Sequence, residues 1–328
     1  MSPPPALPVE KYAFLRSHPG LPEAVAEFAA WLIRNYTGNA LLNMLLCDRG
    51  RVLVGLFVSY LDVLPMPGGT STGATLGSVQ KLCRQTGLCS SGRAASLLAA
   101  MRFGGYVASA NDPDDRRRRV LKPTPKLMDM QLANWSRQFE ALTPLLPELA
   151  SVPHALRRPA FRTGFLHALG GHYFGGFRLL DHAAVLERLV ESNAGLLVLA
   201  SLALPRLAGE AEPGEPVPLS ISALSRRFCI SRAHVRKLLR DAETAGLLAG
   251  GPEAERVVVL PALVDALLSF YAALFALFCS CAETASRDEW RWQDGGADPF
   301  VPATPRTTLP YGGAVLSRSG PFPTKSGS

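Results

Sequence analysis

Two stretches of this 328-residue chain follow one pattern. They are LGSVQKLCRQTGLCSSGRAASLLAAMRFGGYV, from Leu76 to Val107, and LSISALSRRFCISRAHVRKLLRDAETAGLL, from Leu219 to Leu248. Leu82 matches Leu224 and Leu88 matches Ile230 at a spacing of 142, whereas Leu97, Leu98 and Gly105 match Leu238, Leu239 and Gly246 at 141. The loss of one residue in a turn accounts for the change. A repeat of module size constrains the fold more than any local signal, because both copies must satisfy the same local topology. The expected class is mainly α with short β-hairpins (α+β), the module being carried twice so that one chain forms a pseudo-dimer.

Within each copy the apolar spacing predicts a short helix, a turn and a longer helix, followed by a hairpin. In the second copy Ile221 and Leu224 open the short helix, Phe228 to Ile230 turn, and Ser231 is placed to cap the longer helix. Val235, Leu238, Leu239 and Ala242 recur at spacings of three and four and form its inner face; Arg232, Arg236, Lys237 and Arg240 fall outside. Gly246 ends it, and Leu247 to Leu260 reads as strand, GGPEAE turn and strand. In the first copy Ser90 or Ser91 is the cap, and Leu97, Leu98 and Met101 are the core. Its outer face is mostly alanine, glycine and serine, with Arg93 and Arg102 as the basic groups. The hairpin runs from Tyr106 to Ala110, turns through NDPDD, and returns from Arg116 to Leu121.

Charge points to a partner. The net charge is +7, and Leu76 to Lys126 alone holds ten basic residues against Asp112, Asp114 and Asp115. A basic concentration of this kind is the footprint of a polyanion, either nucleic acid or an anionic membrane. An outward basic helix suits the major groove, where arginine pairs with guanine. Arg116, Arg117, Arg118 and Arg119 at a hairpin tip suit phosphates and a narrow minor groove. The first copy would therefore supply affinity and shape reading through its hairpin, and the second would read bases through its helix.

The segment NDPDDRRRRVLKPTPKL, after LLAAMRFGGYV, resembles the wing of the MarR family of winged helix-turn-helix regulators, with its DxxDRR turn, return strand and threonine at the next helix start. The resemblance covers roughly Leu76 to Leu142; the second half is similar only to the broader winged-helix class, and Glu253 and Glu255 in its turn depart from the wing pattern. By this resemblance the fold is a tandem winged helix-turn-helix, Asp115 braces the wing, Arg117 enters the minor groove, and Thr124 lies near the start of the following helix. It further implies terminal apolar helices at the dimer interface, here Pro22 to Tyr36 and Leu263 to Ala282. A monomeric pseudo-dimer and a homodimer both stay open. It also implies a possible small-molecule effector, for which the aromatic and glycine-rich segment Phe161 to Phe177 is the candidate lining.

The expected organisation is a flexible N-terminus over 1–20, a first module with flanking helices over 21–150, a second over 151–285, and a disordered tail over 286–328. Apolar residues make up 48% of the chain, enough for each module to bury a core. Leu263 to Ala282 is about as long as a bilayer is thick, but its place after the second hairpin predicts a helix packed within the protein. No membrane partner is therefore expected. MSPPPALPVEK lacks a signal-peptide layout, and the six cysteines (Cys47, Cys83, Cys89, Cys229, Cys279 and Cys281) form no CxxC pair. A cytoplasmic setting follows, with Cys89, beside the longer helix, as the thiol best placed for redox chemistry. His167, His172, Asp181 and His182 match no metal-ligand spacing. GGTSTGAT, from Gly68 to Thr75, has Ala74 where a phosphate loop needs lysine. No cofactor, metal or enzymatic activity is expected. The sequence thus favours a sequence-specific DNA-binding transcriptional regulator. Its alternatives are a plasmid-type replication initiator with two winged-helix domains and a winged-helix module for protein interaction or chromosome association.

Overall fold

Five hydroxyl side chains set the starts of the helices that matter most. Thr75, Ser90, Thr124, Ser220 and Ser231 each adopt extended backbone and accept a hydrogen bond from the N–H three residues on. Each satisfies one of the donors that a first helical turn leaves unpaired. Thr75 adds the reciprocal bond, its N–H donating to Ser78 Oγ at 2.8 Å.

The structure is a computed structural model that describes residues 9–40, 43, 49–64, 73–112, 117–253 and 255–293. It is mainly helical with a few short antiparallel strands. In order come α1 (Val9–Ser17), α2 (Leu21–Tyr36), α3 (Arg49–Val63), α4 (Leu76–Gln85), α5 (Ser91–Phe103), β1 (Val107–Asn111), β2 (Arg119–Pro123) and α6 (Pro125–Leu142). After single-turn helical pieces come α7 (Pro159–Phe174), then α8 (Gly195–Leu207), β3 (Pro216–Pro218), α9 (Ile221–Phe228), α10 (Arg232–Thr244), β4 (Leu248–Ala249), β5 (Arg256–Val259) and α11 (Pro261–Gln293).

The two halves repeat the same backbone bonds at the spacings seen in the sequence. Leu88 N–H donates to Cys83 O, and Ile230 N–H donates to Ser225 O. Before that bond the left-handed position is filled by Gly87 (φ 64°) in one half and by Cys229 (φ 53°) in the other. Tyr106 N–H donates to Met101 O and Leu247 N–H to Ala242 O, after Gly105 (φ 74°) and Gly246 (φ 69°). Ser90 and Ser231 cap equivalent helices, so the additional residue in the first turn is Cys89.

The helices around these elements are exchanged crosswise. α2, from the first half, lies against α8 of the second, and α7, the counterpart of α2, lies against α3, the counterpart of α8. Phe28, Ala29 and Ile33 therefore belong to the same apolar cluster as Val198, Leu202, Tyr271 and Phe275. The core of α3 to α6, including Val54, Phe57, Val79, Leu98 and Leu127, forms a second cluster. Glycine permits a close crossing: a Cβ on Gly170 in α7 would sit 2.2 Å from the Tyr60 ring in α3.

Several boundaries differ from the sequence reading. Part of the expected flexible N-terminus is α1, which docks on α11 through buried Leu15, a hydrogen bond from Arg16 to Ser269 and an ion pair of Arg16 with Asp265. α11 continues past 285 to Gln293, because Ala282 and Ala285 keep its inner face apolar. The stretch before α9 supplies a strand: Val217 in β3 pairs with Val257 in β5, completing a three-stranded sheet. In the first half Ala74 makes the comparable bridge to Leu121. Residues 1–8 and 294–328 lie outside the described residues. Of the two expected interfacial helices, α11 and α2 both lie within this intramolecular core, and α11 is the one described helix long and apolar enough to cross a membrane. Its most apolar window is 72% buried against the rest of the chain.

Candidate nucleic-acid interface

α10 divides into two faces because its apolar residues recur with the helical period. Val235, Leu238, Leu239 and Ala242 are buried. Arg232, Arg236, Lys237 and Arg240 are exposed on the opposite side. Ser231 is also exposed, but its oxygen accepts the His234 N–H at 3.1 Å and so serves the helix. His234 Nε2 lies 2.9 Å from Asn193 O, which ties the first turn of α10 to the turn before α8. Lys237 Nζ is 2.5 Å from Asp241 Oδ2, so one of the four cations is neutralised along the helix. Arg226 and Arg227, exposed at the end of α9, add charge on the preceding helix. The doubled arginine in LSRRFCIS was their only sequence signal.

In the first half Ser90, not Ser91, is the cap, accepting the Arg93 N–H at 3.3 Å. Ser91 Oγ accepts from Arg84 Nη1 at 2.5 Å, linking α5 to α4. Arg93 and Arg102 are exposed on a helix that otherwise presents small residues, beside Phe103, which is 89% exposed.

The arginine run does not act as one block. The return strand begins at Arg119, opposite Asn111, three residues later than the sequence reading placed it. Arg117 and Arg119 are exposed. Arg118 turns back onto Asp112, and the Arg118 carbonyl accepts the Asp112 N–H at 2.9 Å. Arg116 and the expected brace Asp115 lie outside the described residues; within them, Asp112 braces the hairpin. Downstream, Lys122 pairs with Asp62 at 3.4 Å, and Lys126 Nζ donates to Gly104 O and sits 4.4 Å from the Tyr106 ring centre. Thr124 joins the hairpin to α6, with its hydroxyl donating to Gly105 O at 2.7 Å.

The second hairpin carries exposed Glu253 and Glu255 beside exposed Arg256, whereas the described residues after the first turn expose Arg117 and Arg119. The four residues weighed as metal ligands do not converge: His172 Nε2 is 3.1 Å from Ser280 Oγ, and the His182 ring lies tilted 4.7 Å from that of Tyr12. Among the described residues no group of three potential ligands forms.

Comparison with protein-family models, with curated proteins and with solved structures finds no match to this chain.

Proposed function

We propose that the chain is a sequence-specific, double-stranded-DNA-binding transcriptional regulator with two winged helix-turn-helix modules in one polypeptide, of the kind its first wing resembles. The observation that carries this reading is the exposed row of Arg232, Arg236 and Arg240 on α10, opposite a fully buried face. A rigid helix with that layout fits a major groove and offers forked donors to base edges. The first module offers little on α5 but places Arg117 and Arg119 on its hairpin, which suits phosphates and the minor groove.

The test is selection of bound fragments from a genomic DNA library, followed by affinity measurements on the recovered sites. Arg236→Ala should relax base preference by roughly tenfold at one position. Arg117→Ala should weaken binding evenly across sequences and flatten its salt dependence. Recovered sites should be asymmetric, with conserved bases on one side. Failure to retain any DNA at low salt would overturn the reading, and clustered repeats at a single locus would identify a replication initiator in its place.

A further inference from the structure

Helices of both halves line a partly open cavity of about 420 Å³, in the size range that holds drug-sized ligands. The segment Phe161 to Phe177 contributes only part of its wall, through Leu169, Tyr173 and Phe177; Phe161 and Phe165 are packed into the core. Most of the lining is aromatic and aliphatic and comes from α2, α6 and α11.

Polar atoms in that wall lack partners. Gln138 Oε1, Tyr173 Oη and Tyr271 Oη are buried without a hydrogen bond among the described residues, and Gln138 and Tyr271 are only 2% and 1% exposed. Buried polar groups are nearly always satisfied, and all three of these belong to residues that line the one cavity. Among the described residues one charged side chain, Arg178, lines the cavity, and no aspartate or glutamate does. Its Nη1 is fixed by Tyr173 O at 2.7 Å and Phe177 O at 2.8 Å, and its guanidinium lies 4.6 Å from the Tyr173 ring centre. This is a held cation beside an unsatisfied phenol, at the edge of an apolar chamber.

We propose that the cavity binds a long-chain monocarboxylate of about 20 non-hydrogen atoms. Its carboxylate pairs with Arg178, and its chain lies along the apolar walls. Arginine holds a carboxylate through charge-assisted hydrogen bonds, and among the described lining residues no carboxylate is present to hold a cationic amphiphile. The assignment rests on the cavity and holds whether or not the chain binds DNA.

The test uses the full chain with hexadecanoic acid below its critical micelle concentration, and hexadecan-1-ol as the uncharged control. Binding is read by displacement of a fluorescent apolar dye and by native mass spectrometry. One acid should bind per chain, at least tenfold more tightly than the alcohol. Arg178→Gln should remove that preference while leaving alcohol binding unchanged, and Leu274→Trp should fill the chamber and abolish binding of both. If Leu274→Trp does not fold, the acid–alcohol comparison in wild type and Arg178→Gln decides alone. No saturable binding to the wild type, equal affinity for acid and alcohol, or undiminished acid binding in Arg178→Gln would overturn the proposal.

Discussion

Arg118 Nη1 lies 3.2 Å from Asp112 Oδ2, and the Asp112 side chain is 5% exposed while that of Arg118 is 36% exposed. A buried acid at the start of the first hairpin is therefore met by one of its own arginines, which spends that cation on the shape of the hairpin. Asp112→Ala removes the carboxylate acceptor of this ion pair. It should cost about 1–2 kcal/mol, since hydrogen bonds to charged groups contribute on that scale and the pair is only partly shielded. Urea unfolding of variant and wild type measures it, and equal midpoints would show that the hairpin does not depend on the pair.

The Lys237–Asp241 pair makes a prediction of opposite sign. Asp241→Asn frees a cation on the outer face of α10 and removes a nearby negative charge. If α10 faces DNA, affinity should rise several-fold and the slope of log affinity against log salt should steepen by about 1. An unchanged or shallower slope would place α10 away from the phosphates.

Packing at the α3–α7 crossing is testable by adding one methyl group. Gly170→Ala drives a Cβ into the Tyr60 ring, and overpacking of this kind costs about 1–3 kcal/mol. Tyr60→Leu in the same chain should recover most of the loss, because the two residues share one contact. Thermal melts of the single and double variants report the coupling, and additive losses would contradict it.

Thiol chemistry should divide by burial. Desolvation pushes Cys83 and Cys279 up from the ordinary 9.0 to about 12, and Cys281 well above 9.0. Cys229 is exposed and Cys89 half-exposed. Iodoacetamide at pH 8 should label Cys229 first, and Cys83, Cys279 and Cys281 only on unfolding, as peptide mapping would show. The same shifts give a sign for stability. Above pH 9 the unfolded chain releases protons that the folded thiols still hold, so stability is complete below pH 9 and declines as pH rises towards 12. Midpoints that hold steady from pH 9 to 11 would contradict this.

Periodicity and caps were the legible part of this chain. The inner face of α10 and the Ser231 cap were readable because a 3.6-residue period and an N-cap are local properties. The repeat was readable to the residue, and the structure shows why: Leu88 and Ile230 make the same backbone bond, and the inserted Cys89 falls after it. Partners distant in sequence were not readable. Asp112 reads as one aspartate among several in NDPDD, and its pairing with Arg118 follows from burial at the hairpin's start, which the letters do not carry. β3 was hidden because a three-residue strand of Pro, Val and Pro has no alternation to detect; its pairing comes from β5, about forty residues on. The cavity was legible only in part, through Leu169, Tyr173 and Phe177 of the expected Phe161 to Phe177 lining, since the rest of its wall draws on helices spread from Phe28 to Phe278.

The crosswise helices also impose an order on synthesis. α2 emerges from the ribosome long before α8, the helix it packs against, and its Phe28 faces rings of Tyr271 and Phe275 that are translated later still. The nascent first half can close the core around Val54 and Leu98, but its leading helix must wait with an apolar face uncovered. A ribosome stalled near residue 150 should therefore display a chaperone-binding face on α2, and release of that face should coincide with the appearance of the second half.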